Sequence, residues 1–411
     1  MSPARKLLLL LTSINLVNYL DRYVVLAVLE PLGRDLHLSD DQLGRLSFVF
    51  IVVYMLAAPI FGLLGDRFPR PRLVAAGIVL WSLATAGAAF AHSYPMLLLC
   101  RSLVGVGEAA YASLGPPMLA DSFPERERAQ KFTWFYLAIP VGSALGYGLG
   151  GGIAGLLGWR MAFLIAGIPG LLLALWMGFQ SDPERGAHDS MPDATAGRSW
   201  GVRLGAIFTN RVWLACTASY VAYTFAMGVL SAWAPVLLQR RFAVGVSQAG
   251  LVFGGFAFAT GVAGTFLGGK LTDRLQDRWP DAGLWISGLT LLAAAPVVAL
   301  ALRVQTLGAV YALFFAGMLL LFINTSPVNA VTVSCLPPSV RATGTALNVL
   351  LIHLLGDAVS PWWAGHRSDA FQAAGLAPGL AVAQAMGLAV PAILLAGGAL
   401  WWARARRALA E

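Results

Sequence analysis

Four ionisable side chains stand inside stretches otherwise built from apolar residues. Asp21 and Arg22 lie in Asn18-Tyr19-Leu20-Asp21-Arg22-Tyr23, and Arg101 and Glu108 open and close Arg101-Ser102-Leu103-Val104-Gly105-Val106-Gly107-Glu108. Inserting one charge at the middle of an apolar membrane helix costs about 2.5–3.5 kcal/mol. Charges kept at that cost face a bundle interior or a wet cavity and mark an ion or substrate path, or else brace neighbouring helices as a salt bridge. Each of the four offers definite chemistry. The planar arginine fork bonds two oxygens of a phosphate or carboxylate at once. A buried carboxyl answers both to its surroundings and to nearby charge, so Asp21 is the leading candidate to take up and release a proton. Seven residues are almost two helical turns, which places Arg101 and Glu108 on one face about 10 Å apart.

A second pair occurs late in the chain, in His353-Leu354-Leu355-Gly356-Asp357-Ala358-Val359-Ser360-Pro361. His353 and Asp357 are spaced i, i+4 and so are helix-face neighbours. Histidine titrates near neutral pH, which makes the pair a second candidate for proton coupling. The alternative is a satisfied polar pair beside a kink at Pro361. Two further motifs concern packing. GLLGDRFPRPR, residues 62–72, has Gly62 and Gly65 for close helix approach. It places Asp66 at a helix end and Arg67, Arg70 and Arg72 along a membrane surface. The glycines of residues 140–151 (PVGSALGYGLGG) suit a helix that packs tightly and bends. They are not a nucleotide loop, for no Gly-Lys-Ser/Thr follows.

These motifs are carried by a chain of 411 residues that is 58% hydrophobic and 12% charged, with a mean hydropathy of +0.72. An average soluble domain carries about 25% charged residues. That excludes a soluble multi-domain enzyme, a disordered chain and a secreted disulfide scaffold. The cysteines Cys100, Cys216 and Cys335 lack the paired spacing of a metal site or disulfide framework. The net charge of +8 is scattered over short polar breaks, which argues against a nucleic-acid surface. Twelve apolar runs approach the roughly 20 residues a bilayer requires. They span 7–29, 43–65, 73–91, 95–120, 130–155, 159–180, 210–239, 246–270, 283–303, 306–334, 342–364 and 378–403. Their continuous apolarity predicts helices, not barrel strands. The first run has no small-residue cleavage site after it and is expected to be retained. With the N-terminus inside, and residues within two positions of a span end counted with the adjoining segment, 19 Lys and Arg fall in cytoplasmic segments, 7 outside and 2 within spans, of the 28 present. This bias predicts both termini in the cytoplasm.

The halves echo each other. Gly62-Leu63-Leu64-Gly65-Asp66-Arg67 recurs as Gly269-Lys270-Leu271-Thr272-Asp273-Arg274, 207 positions on. Arg128-Ala129 is matched more faintly by Arg341-Ala342, 213 positions on. The expected organisation is an all-α membrane protein of twelve transmembrane helices in two pseudo-symmetric six-helix bundles. Residues 1–180 form the N-terminal bundle, 181–201 a flexible cytoplasmic linker rich in Pro, Gly and acids, and 202–411 the C-terminal bundle. Six plus six helices with a parallel repeat is an architecture of secondary transporters.

Taken together, NYLDRYVVLAVL, FGLLGDRF, RSLVGVGEAAYASLGPPMLAD, FYLAIPVGSALGYGLGG and HLLGDAVSP resemble the Spinster family of the major facilitator superfamily. The likeness covers both halves and is looser in the second outside span eleven. It implies the major facilitator fold, alternating access and a lipid-like substrate, a lysophospholipid or a sphingolipid relative. It also implies that Asp21, Arg22, Arg101 and Glu108 form a charged centre and that transport is proton-coupled. Departures are the two prolines at Pro69 and Pro71 and the short ends, which with the Ala and Arg content suggest a bacterial inner-membrane protein. The expected scheme places a headgroup phosphate on Arg101 or Arg22. Protons are assigned to Asp21, Glu108, His353 and Asp357, and an acyl tail to Tyr223, Phe225 and Phe256. Gly62, Gly65, Asp66, Arg67, Asp273 and Arg274 would act at a cytoplasmic gate. Protons, the lipid substrate and membrane lipids are the expected partners, and a monomer the expected state. No cofactor, metal, nucleic acid or catalytic activity is expected. The alternatives are a proton-linked exporter of small organic anions or drugs, a lipid sensor without flux, and a scramblase.

Overall fold

The computed structural model describes residues 2–185, 200–279, 281–336 and 340–408. Most of the expected linker, residues 186–199, lies outside the described residues, as do the side chains of Arg341 and Ala342. Described secondary structure is helical throughout, as a bilayer demands, because a lipid-facing backbone must satisfy its own hydrogen bonds. The helices are α1 (Pro3–Ala27), α2 (Leu29–Asp35), α3 (Asp40–Arg67), α4 (Arg70–Ala88), α5 (Tyr94–Asp121), α6 (Glu125–Leu157) and α7 (Trp159–Gly178). After the linker come α8 (Trp200–Phe208), α9 (Arg211–Phe242), α10 (Val246–Leu275), α11 (Ala282–Ala301), α12 (Leu307–Ile323) and α13 (Thr325–Ser334). The chain ends with α14 (Arg341–Ile352), a π-helical turn (His353–Asp357), α15 (Val359–Ala373), α16 (Pro378–Met386) and α17 (Ala389–Ala408). Among the described residues, eleven helical stretches are long and apolar enough to cross a membrane. The 25-residue α1, which carries Asp21 and Arg22, makes twelve.

Local signals set the helix starts. Ser39 caps α3 through a reciprocal box: Gln42 N–H donates to Ser39 Oγ at 3.3 Å and Ser39 N–H to Gln42 Oε1 at 3.0 Å. Asp40 and Asp41 fill the first turn, where the helix dipole favours negative charge. Gly158 alone separates α6 from α7 at φ +88°, a left-handed conformation that any side chain would strain.

Three expected spans are broken. The tenth becomes α12 and α13, parted at Asn324, and the twelfth becomes α16 and α17. The eleventh runs on to Ala373 through the π-turn. The short helices α2 and α8 were not expected.

The chain divides into two compact units, Met1–Pro192 with Leu238–Gly255, and Asp193–Leu237 with Phe256–Glu411. In the first, Leu10, Leu11, Ile14, Ile78, Trp81, Met118 and Met177 form one buried core. In the second, Ile207, Trp213, Leu336 and Val340 close the end where α8 meets α9. Lipid is as apolar as these side chains, so association rests on close packing and small residues. The stripe in α6 supplies it: Gly142 and Gly146 lie against the carbonyls of Leu16 and Leu20 in α1, and a Cβ at Gly146 would stand 2.6 Å from Leu20 O. This packing fixes α1 one residue before Asp21.

Candidate functional site

Adjacent residues on a helix do not face each other, and Asp21 and Arg22 do not pair. Arg22 Nε donates to Glu108 Oε2 at 2.6 Å, joining α1 to α5. The Glu108 side chain is wholly buried, while Arg22 keeps 19% of its surface open. Asp21 turns into the unit, 1% exposed, and neither carboxylate oxygen has a hydrogen-bond partner among the described residues. The charges acting on it are Glu108 and Arg101, with the Thr85 hydroxyl of α4 beside it. Arg101 is 5% exposed, makes no ion pair or hydrogen bond among the described residues, and has an unpartnered Nε. The four charges foreseen on the first and fourth spans are thus drawn together: one ion pair, one bare carboxylate and one bare guanidinium.

Aromatic rings complete the site, and the sequence did not single them out. The Arg22 guanidinium lies 5.1, 5.0 and 4.9 Å from the ring centres of Tyr19, Phe50 and Tyr54. Arg101 lies 4.5 Å from that of Phe50. Both glycines between Arg101 and Glu108 are close-approach points. A Cβ at Gly105 would meet Phe50 O at 2.7 Å, and one at Gly107 would meet Gly77 O at 2.5 Å. Gly105 therefore admits α3 and Gly107 admits α4 to the charged face of α5.

Among the gate residues, Gly65 packs on Leu114, but a Cβ at Gly62 would meet nothing within 4 Å. Asp66 and Arg67 are exposed, as are Asp273 and Arg274 in α10. Arg185 caps α3, donating to the carbonyls of Gly65 and Asp66. The buried basic residue of this loop is Arg70. Its Nη1 reaches Asp121 Oδ2 at 2.6 Å, its Nε reaches Asp182 Oδ1 at 2.8 Å, and its Nη2 reaches Pro183 O at 2.7 Å. Asp121 and Asp182, each just beyond an apolar run, were its sequence signal.

In the second unit, His353 Nδ1 lies 3.0 Å from Asp357 Oδ2 across the π-turn. Thr224 Oγ1 of α9 donates to Ile352 O at 3.0 Å, and Trp233 Nε1 donates to Pro361 O at 2.9 Å. These bonds tie α9 to the helices on either side of the π-turn. The residues expected to hold a tail do not converge. Phe225 lines a cavity of about 540 Å³ with Trp213, Val221, Leu351, Leu355, Pro391 and Leu395. Tyr223 is buried two residues away and is not in that lining, and Phe256 packs on Tyr311 and Phe315 of α12.

One further cluster escaped the sequence reading. Arg240, at the end of α9, donates to both oxygens of Asp40 at 2.8 Å each and, through Nε, to Glu30 Oε2 at 2.5 Å. Arg34 holds the other Glu30 oxygen at 2.7 Å. Among the described residues no group of three His, Cys, Asp or Glu is placed to hold a metal ion.

Twelve membrane helices, with a buried charge cluster inside the first unit, define a class, the polytopic carriers. Comparison with known proteins agrees: residues 11–361 match the family model of the Major Facilitator Superfamily. Human protein spinster homolog 1 is 36% identical over 395 residues, covering 90% of this chain and 74% of that protein. Zebrafish (Danio rerio) protein spinster homolog 3 is 34% identical over 373 residues, covering 87% and 75%. A bacterial homolog to the human lysosomal transporter Spinster, solved in an inward-facing and occupied conformation, superposes with a TM-score of 0.88 at 24% identity, covering 98% of each chain. The chain belongs to the Spinster family of major facilitator transporters.

Proposed function

We propose that this transporter moves an amphipathic anionic or zwitterionic lipid, a lysophospholipid or sphingolipid-like molecule, by proton-coupled alternating access. One observation carries the reading: Arg101 is a buried guanidinium that makes no ion pair or hydrogen bond among the described residues, beside Asp21, a buried carboxylate whose oxygens are equally unbonded there. An unpaired buried charge is costly unless a ligand or ion completes it. The arginine fork suits a phosphate, with Arg22 as the second, more open cation. Asp21 and a substrate phosphate then compete for the same positive field, so protonating Asp21 releases Arg101 toward substrate. Glu108, held by Arg22, and the His353–Asp357 pair are the further proton-coupling groups. Phe225 and the cavity it lines are the candidate tail contacts, with Tyr223 and Phe256 as outlying ones. Gly62, Gly65, Asp66 and Arg67, with Asp273 and Arg274, act at the cytoplasmic gate. The protein works as a monomer in the inner membrane, both termini cytoplasmic, with surrounding lipids and protons as its other partners.

Purified protein in liposomes, given labelled lysophospholipid and an imposed pH gradient, is expected to accumulate it uphill. The Asp21→Asn variant is expected to lose the dependence on the gradient. Equilibration that ignores the gradient in the parent would instead indicate a scramblase, and binding without movement a sensor.

A further inference from the structure

Arg101 lacks an ionic partner, yet something must hold it against the carboxylates nearby. Phe50, on α3, is 4% exposed, and its ring centre lies 4.5 Å from the Arg101 guanidinium and 5.0 Å from that of Arg22. Both distances are inside the roughly 6 Å reach of a cation over an aromatic face. The placement is built in. Gly105, one turn beyond Arg101, lies against Phe50 O, and a Cβ there would approach it to 2.7 Å. Arg22 has other support, from Glu108, Tyr19 and Tyr54. Arg101 has the ring.

We propose that Phe50 is a positioning residue for anion recognition, its ring holding Arg101 in place while leaving the guanidinium N–H groups open to an incoming phosphate or carboxylate. The inference rests on the reading of Arg101 as the anion contact. An aromatic face attracts a cation through its quadrupole and uses none of its five N–H donors. A carboxylate in the same place would use two of them and neutralise the charge. The shared ring also offsets the repulsion between two guanidinia brought to one site. Leucine at 50 keeps the apolar bulk and removes the π face. Arg101 then turns to Asp21 or Glu108 and is lost to the ligand.

The test is a ratio of affinities, which general loosening of the fold does not move. Lysophosphatidate and the monoacylglycerol of the same chain length are titrated onto the full-length protein in nanodiscs. The parent is expected to prefer the phosphate-bearing probe. Phe50→Leu is expected to shrink that preference about tenfold, the order of one desolvated cation–π contact, through the phosphate probe alone. Phe50→Tyr, which keeps the π face, is expected to stay within about twofold of the parent. Phe50→Met, also without a π face, serves if the leucine variant does not fold. Retention of the full preference by the leucine or methionine variant overturns the role of Phe50 while leaving the anion site standing. If the parent and Arg101→Ala bind the two probes alike, the anion-site reading fails first and the proposal with it.

Discussion

At the residue scale, the four buried charges divide into two kinds, and the division makes opposite predictions. Arg22 and Glu108 are bonded at 2.6 Å, so removing one strands the other. A buried charge left alone in this way costs about 3–5 kcal/mol. Arg101 has no such partner to strand. Arg101→Ala is therefore expected to fold at parental yield and melting temperature and to lose uptake, whereas Glu108→Ala is expected to melt markedly earlier. Thermal unfolding in detergent with liposome uptake on the same preparations checks both. Normal uptake by Arg101→Ala would remove the headgroup role. The charges were legible in the sequence because an ionised side chain in an apolar run needs either a wet cavity or a partner. Phe50 and Thr85 were not, because an aromatic or hydroxyl residue in a membrane helix is ordinary until its neighbours are known. Asp21 and Arg22 are adjacent in sequence, but what each meets depends on the α1–α5 and α1–α4 contacts.

At the scale of elements, apolar length located the long helices and failed where the backbone departs from a regular helix. The breaks at Asn324 and after Met386 fall inside runs that still pass as single spans by length and composition, and the π-turn at His353–Asp357 keeps the spacing of an ordinary helix pair. The small helix α2 was hidden because its polar residues read as a loop. It is tied to α7 by Asp35, whose Oδ2 accepts from Arg160 Nη1 at 2.5 Å and from Trp159 Nε1 at 3.2 Å. The Arg160 guanidinium holds the Asp35 carboxyl below the usual carboxylate range. A carboxyl with a depressed folded-state pKa contributes stability above its unfolded pKa and loses it as pH falls through the folded one. Asp35→Asn is thus expected to melt slightly earlier than the parent at neutral pH. The gap is expected to close under acid, below the normal carboxylate range. The contact is half-exposed, so the effect is small and weakens with salt. Equal melting temperatures at neutral pH and low salt would show that the contact contributes nothing.

At the scale of the whole molecule, the expected boundary between halves fell in the linker, yet the end of α9 and the start of α10 pack with the first unit. Arg240 adds a charged contact to the packing of that segment. In the sequence it is one of two arginines closing an apolar run. In the fold its side chain is 12% exposed and meets Asp40 (2%) and Glu30 (5%) in a fork geometry that lysine cannot reproduce. Two carboxylates and one guanidinium leave a negative excess, which Arg34 balances from the surface side of Glu30. Arg240→Ala leaves Asp40 buried without its fork partner, a loss of about 3–5 kcal/mol by analogy with other broken buried pairs. The loss falls on the segment that Arg240 anchors. Hydrogen–deuterium exchange of Leu238–Gly255 is therefore expected to rise in Arg240→Ala, with little change in α4 and α7, which pack on each other elsewhere in the unit. Arg240→Lys is expected to lie between, keeping the charge without the two-point grip on Asp40. Parental exchange across 238–255 in the alanine variant would show that apolar packing alone, such as Phe253 against Tyr147 at 5.1 Å, holds this segment in the first unit.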